Sequence, residues 1–227
     1  MRYKDFEHII STPRINRYLI ACNGNSRKAM TLYRKNLQLS QELFTIISCF
    51  EIALRNAIDN HVIQTLGRDW LRTASSTGGI FDNANCFITA QTINDEIYKL
   101  NQQYTHAKLV AELGFGFWRY LFSAHHYRAT GQNLLQIFNS KPRSSATIQY
   151  NSSYIFNELA KINNLRNRIA HHEPVCFVPG YPVKDTSFVR QHYNLILQLF
   201  RWLSIDEAAL LYGLDHILTV CNEIDSL

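Results

Sequence analysis

Leu165-Arg166-Asn167-Arg168-Ile169-Ala170-His171-His172-Glu173-Pro174 sets two arginines, an amide, two adjacent histidines and a carboxylate side by side and closes on a proline. The run leading into it, from Tyr154, carries Ile155, Leu159, Ile162, Leu165 and Ile169 at steps of three and four. That spacing makes one buried stripe of a helix. Pro174 has no backbone N–H and pushes the residue before it out of the α region. A motif helix is therefore predicted over about 154–172, ending near His172. On it Asn167 and His171 share a face. Arg166 lies about 100° round from Asn167, and its long side chain reaches the same pocket. A basic last turn also complements the helix macrodipole and needs no further role for that. What sets this turn apart is its density of groups that donate and accept protons.

The composition bounds the rest. The chain has 227 residues, 46% of them hydrophobic, enough to bury a core as a single domain over 1–227. A net charge of +5 permits nucleic acid as a partner without demanding it. The five cysteines, Cys22, Cys49, Cys86, Cys176 and Cys221, are scattered, odd in number and without metal-ligand spacing. They read as reduced core residues, with no metal and no cofactor expected. Met1–Asp5 shows no apolar signal region, and the apolar run around Leu43–Phe50 falls far short of a membrane span. The expected setting is the cytoplasm, away from any membrane.

Along the chain the signals are helical throughout. Ser11-Thr12-Pro13 predicts a hydroxyl-capped helix start, running to about Cys22. Residues 27–37 predict a helix, with a fresh start at Ser40 and a long helix to Leu66, stopped by Gly67. Leu43, Ile46, Ile47, Phe50, Leu54, Ala57 and Ile58 form the core stripe of that long helix. Trp70 and Leu71 are an anchoring pair, and Thr73–Asn85 is a loop. Helices follow over 88–103 and 117–129, with a short element over 106–112 between them, and C-terminal helices over about 188–223. No stretch alternates like a strand. The fold class is all-α, a helical bundle with additional short helices.

Three further groups carry chemistry. Glu51 precedes Arg55 by four residues on the long helix, with Asn56 beside it. These three form either a buried network that sets helix register or the lining of the active pocket, orienting Arg166 or His171. Arg55 and His61, with five residues between them against four between Arg166 and His171, compete with that pair as the reactive one. Lys141-Pro142-Arg143 is a basic loop able to touch a phosphate backbone or simply to be solvated. His125 and His126 are adjacent, not at the i, i+4 spacing of helical zinc ligands. Gly114-Phe115-Gly116-Phe117-Trp118 lacks the strand and the Gly-Lys-Ser/Thr of a phosphate loop.

The string Arg166-Asn167-x3-His171 resembles the Arg-x4–6-His signature of the HEPN superfamily, and the wider stretch looks like its Abi-like (abortive infection) branch. Ser11-Thr12-Pro13-Arg14-Ile15-Asn16-Arg17-Tyr18-Leu19, Ala29-Met30-Thr31-Leu32-Tyr33-Arg34-Lys35-Asn36 and Glu51-Ile52-Ala53-Leu54-Arg55-Asn56-Ala57-Ile58 resemble the same branch, in the same order. The resemblance covers roughly residues 6–205. It implies a HEPN-like bundle and a metal-independent endoribonuclease, a toxin-type effector of phage defence. Arg166, Asn167 and His171 are then catalytic, with His172, Glu51, Arg55 and Asn56 in support and Arg168, Lys141 and Arg143 contacting RNA. It further implies a homodimer with a composite site and control by an antitoxin or a phage-derived trigger. The alternative from a different class is a non-catalytic RNA-binding or regulatory module using the same basic pocket.

Overall fold

A computed structural model describes all residues, Met1–Leu227, and is all-α. The helices are α1 (Tyr3–Ile10), α2 (Thr12–Ala21), α3 (Ser26–Leu66), α4 (Trp70–Ser75), α5 (Phe87–Leu100) and α6 (His106–Glu112). They continue as α7 (Phe115–Tyr120), α8 (Ala124–Ala129), α9 (Ser152–Ala170), α10 (Ser187–Trp202), α11 (Glu207–Leu210) and α12 (Ile217–Asp225). The one β-bridge pairs Phe177 with Lys184 in the turn between α9 and α10.

The chain divides into two compact units. One comprises Met1–Ser48, Asn164–Leu197 and Glu207–Leu227; the other comprises Cys49–Asn163 and Gln198–Asp206. Helices α3, α9 and α10 contribute residues to both.

In the first unit the buried side chains come from every helix but α11: Phe6, Ile15 and Tyr18, then Leu32, Leu39 and Leu43, then Leu165, Val189, Ile217 and Ile224. Tyr18 packs edge-on against Tyr33 at 5.1 Å and tilted against Phe177 at 4.9 Å. The Asn36 side chain, 3% exposed, accepts hydrogen bonds from the backbone N–H groups of Val175 (2.8 Å) and Cys176 (3.2 Å). In the second unit Phe50 packs between Phe115 (6.3 Å) and Phe200 (5.2 Å). Trp70 and Trp118 are fully buried, and each indole N–H has an acceptor, Asp59 for Trp70 and the Leu113 carbonyl for Trp118. The segment between α4 and α5 is pinned by Phe81, whose N–H reaches the Ala74 carbonyl. Gly79 is required there, because a Cβ would lie 2.3 Å from the Thr73 carbonyl oxygen.

The apolar stripes are where the spacing puts them. Ile155, Leu159, Ile162 and Leu165 of α9 are fully buried, and Ile169 at its end is half-buried. On α3 Leu43, Ile46, Ile47, Phe50, Leu54 and Ile58 are buried and Ala57 half-buried.

Three local expectations are corrected. The fresh start at Ser40 does not occur: α3 is one helix of 41 residues. Nothing between Ser26 and Leu66 is Gly or Pro, and a serine caps only where the chain has already broken. As one helix, α3 is long and apolar enough to cross a membrane by length and composition, which the short run Leu43–Phe50 alone does not suggest. The helix expected over 117–129 is two, α7 and α8, separated by a tight turn in which Phe122 and Ser123 donate to the carbonyls of Arg119 and Tyr120. The break lets Leu121 and Phe122, adjacent in sequence, both be fully buried. Ser11 does stand before α2, but its φ of 78° takes its hydroxyl away from the first turn and it makes no side-chain cap.

Replacing Asn36 tests the long-range tie. Asn36→Ala strands two buried N–H groups, so urea denaturation is expected to show a loss of about 2–4 kcal/mol. A loss below about 0.5 kcal/mol means that the tie does not stabilise the fold.

Candidate functional site at the end of helix α9

Helix α9 closes with two backbone hydrogen bonds: Glu173 N–H to the Arg168 carbonyl at 2.8 Å and His172 N–H to the Ile169 carbonyl at 3.0 Å. This is a Schellman closure, with His172 in the left-handed position at φ 56°. Glycine normally fills it. Histidine is among the few other types enriched there, at a cost of about 1–2 kcal/mol. Pro174 follows, and the chain leaves the helix axis.

The emerging segment is held on several sides within the first unit. Arg14 of α2 donates from Nη1 to the His172 carbonyl at 3.3 Å, and Arg17, one turn on, donates to the Tyr181 carbonyl at 2.9 Å. Arg17 also lies over the Phe177 ring at 5.0 Å. Asn36 of α3 fixes Val175 and Cys176, as described. Arg168 reaches forward from α9, with Nη2 on the Pro174 carbonyl at 2.8 Å, Nε 3.3 Å from Glu173, and its guanidinium over the Phe188 ring at 4.8 Å. The thiol of Cys176, buried beneath, is pushed up to about 12 by desolvation.

These ties leave particular groups outside. Asn167, His171 and His172 are exposed, and none of their side chains hydrogen-bonds within the chain. Arg166 is half-buried. His171 still donates its backbone N–H to the Asn167 carbonyl at 2.9 Å, so the two side chains keep the helical i, i+4 alignment. Glu173 is the one carboxylate of the stretch, and it is paired with Arg168. Guanidinium and imidazole groups therefore dominate this helix end: Arg14, Arg166, Arg168, His171 and His172. Such a surface attracts anions, and it keeps two imidazoles in solvent for proton transfer.

The other expected residues belong to the second unit. Arg55 and Asn56 line a cavity of the second unit with Asp59, Arg68 and His106. His61 is half-buried and its Nε2 has no hydrogen-bond partner. Glu51 is half-buried on α3. In the 138–151 loop Lys141 is half-buried and Arg143 exposed. His126 is buried, with ring nitrogens 2.6 Å from the Thr89 hydroxyl and 2.8 Å from the Ser123 hydroxyl, while His125 is exposed. Burial lowers the His126 pKa.

Sequence reasoning passed over Arg14, Arg17 and Asn36 as functional residues. The signal was present in the quoted stretches 11–19 and 29–36: polar residues on otherwise apolar helices. Their partner is backbone, not side chain, so no charge pairing gave them away.

A family model described as Abi-like protein matches residues 2–176. The chain belongs to the Abi-like family. No curated protein and no solved structure matches it significantly. The Abi-like match runs from α1 to Cys176, so it includes Arg14, Asn36 and the whole of Arg166–Pro174. It ends at the residue whose N–H is held by Asn36. Family membership suggests a part in abortive infection, a phage-defence response.

The left-handed histidine offers a direct check of this closure. His172→Gly is expected to raise stability by about 0.5–1 kcal/mol in thermal or urea denaturation, because glycine removes the steric cost of the closure. A destabilised variant means that the His172 side chain contributes contacts that outweigh this relief.

Proposed function

We propose that this Abi-like protein is a metal-independent endoribonuclease of the HEPN type, acting in abortive infection at the end of α9. The observation that carries the proposal is the exposed, uncommitted imidazole of His171, in line with Asn167 on a helix end that also carries Arg166 and Arg168.

In this reading an RNA phosphodiester sits against Arg166. The guanidinium donates to the non-bridging oxygens and stabilises the charge that builds on them. A histidine takes the proton of the 2′-OH, and the 2′-oxygen attacks the adjacent phosphorus. The P–O5′ bond breaks, and a protonated histidine supplies the proton that leaves with the 5′-oxygen. The products are a 2′,3′-cyclic phosphate and a 5′-OH. Asn167 orients the phosphate or the imidazole. Arg168 acts through position, since its guanidinium holds the segment that follows.

Two proton-transfer groups are needed. His171 supplies one. The second comes from His172 or from His171 of a second copy, which would make the enzyme a homodimer with a composite site on a two-fold axis. Arg143 and Lys141 are proposed as backbone contacts for longer RNA. An antitoxin or a phage-derived trigger is the proposed means of control.

The test uses purified protein with mixed cellular RNA in EDTA, beside Arg166→Ala and His171→Ala proteins of verified fold. Cleavage by the wild type is expected, with cyclic-phosphate ends and a loss of at least about 100-fold in each variant. Undiminished cleavage in both variants would remove the assignment. RNA that is bound tightly but left intact, with binding lost in the variants, would instead support a non-catalytic RNA-binding role.

A further inference from the structure

The second unit holds a cavity of about 420 Å³ between α3 and α6, a size usual for small-molecule sites. We infer that it binds a phosphate monoester, with a nucleoside monophosphate as the ligand that fits its size and lining. This inference stands apart from the α9 site and does not rest on it.

Arg55 projects from α3 and is half-buried. Its Nη1 donates to the Ala111 carbonyl at 3.3 Å, while its Nε is buried with no acceptor. A guanidinium withdrawn from water with a donor unmet is costly, and an oxyanion that presents two oxygens side by side, as a phosphate does, is a partner its planar fork fits. Arg68, at the rim, is exposed and makes no ion pair. Asn56, also exposed, has a free amide between them in sequence and on the same wall.

The carboxylate on this wall does not neutralise the two arginines. Asp59 Oδ1 already accepts from Trp70 Nε1 at 2.7 Å and lies 2.8 Å from His106 Nε2. The other ring nitrogen of His106, Nδ1, lies 3.6 Å from Asp69 and is buried without a hydrogen-bond partner, while Asp69 accepts from the Tyr104 hydroxyl. These contacts make a rigid wall with one carboxylate oxygen left over, suited to accept from a ribose hydroxyl. Ile63 and Val110 supply apolar surface for a base. An inorganic phosphate would engage the arginines but leave most of the volume unfilled.

The experiment is calorimetric titration of the full chain with AMP, adenosine and inorganic phosphate. Saturable AMP binding is expected, at least about tenfold tighter than adenosine, corresponding to about 1.4 kcal/mol. AMP tighter than phosphate identifies a nucleotide site; equal affinities identify the free anion as the ligand, and both support the phosphate assignment. Arg68→Ala, a surface change that leaves the core intact, is expected to weaken AMP at least tenfold. Arg55→Lys, which keeps the charge but loses the fork, is expected to do the same. His171→Ala is expected to bind as the wild type does. Absence of AMP binding, adenosine binding as tightly as AMP, or loss in His171→Ala with Arg68→Ala unaffected would each overturn the inference.

Discussion

The side-chain carbonyl of Asn36 is the constraint on which the first unit depends. A helix that ends in a left-handed turn followed by proline releases a chain whose next peptide groups must find partners, and buried N–H groups without partners are costly. Val175 and Cys176 are fully buried, and Asn36 meets both of their N–H groups. With that segment fixed, Arg14 and Arg168 hold its carbonyls and Phe177 packs on Tyr18. The exposed histidines are thus borne on a rigid support.

The same arrangement explains why the residues divide as they do. Arg168 and Arg17 spend their donors on backbone carbonyls, an inexpensive way to bury part of a charged side chain. Asn167, His171 and His172 spend none. In a stretch so rich in polar groups, the contrast between committed and uncommitted side chains says more about chemistry than the motif spacing does.

Much of this was legible beforehand. The three-and-four spacing of Ile155, Leu159, Ile162 and Leu165, with Pro174 behind it, located α9 and its end to within two residues. Periodicity and a closing Gly67 located the end of α3. What escaped was long-range or negative. Ser40 suggests a cap because serine favours caps, yet no breaker stands near it to create a helix end. The kink between α7 and α8 follows from burying Leu121 and Phe122 together, which only the tertiary structure demands. Asn36 bonds a segment 139 residues away, and no local pattern reports such a tie. Arg55 and Asn56 read from the sequence as a buried network or as pocket lining, whereas the residues that share their cavity, Arg68 and His106, lie beyond the helix and carry no motif.

The most direct measurement is histidine imidazole NMR during titration with an RNA whose 2′-hydroxyls are methylated, so that it binds without being cut. The protein has nine histidines, each assignable by substitution. The expected result is that His171 shifts saturably with RNA, His172 with it or not, while buried His126 and half-buried His106 stay in place. Saturating RNA that moves other histidines and leaves His171 unmoved would contradict the placement of the chemistry at the end of α9.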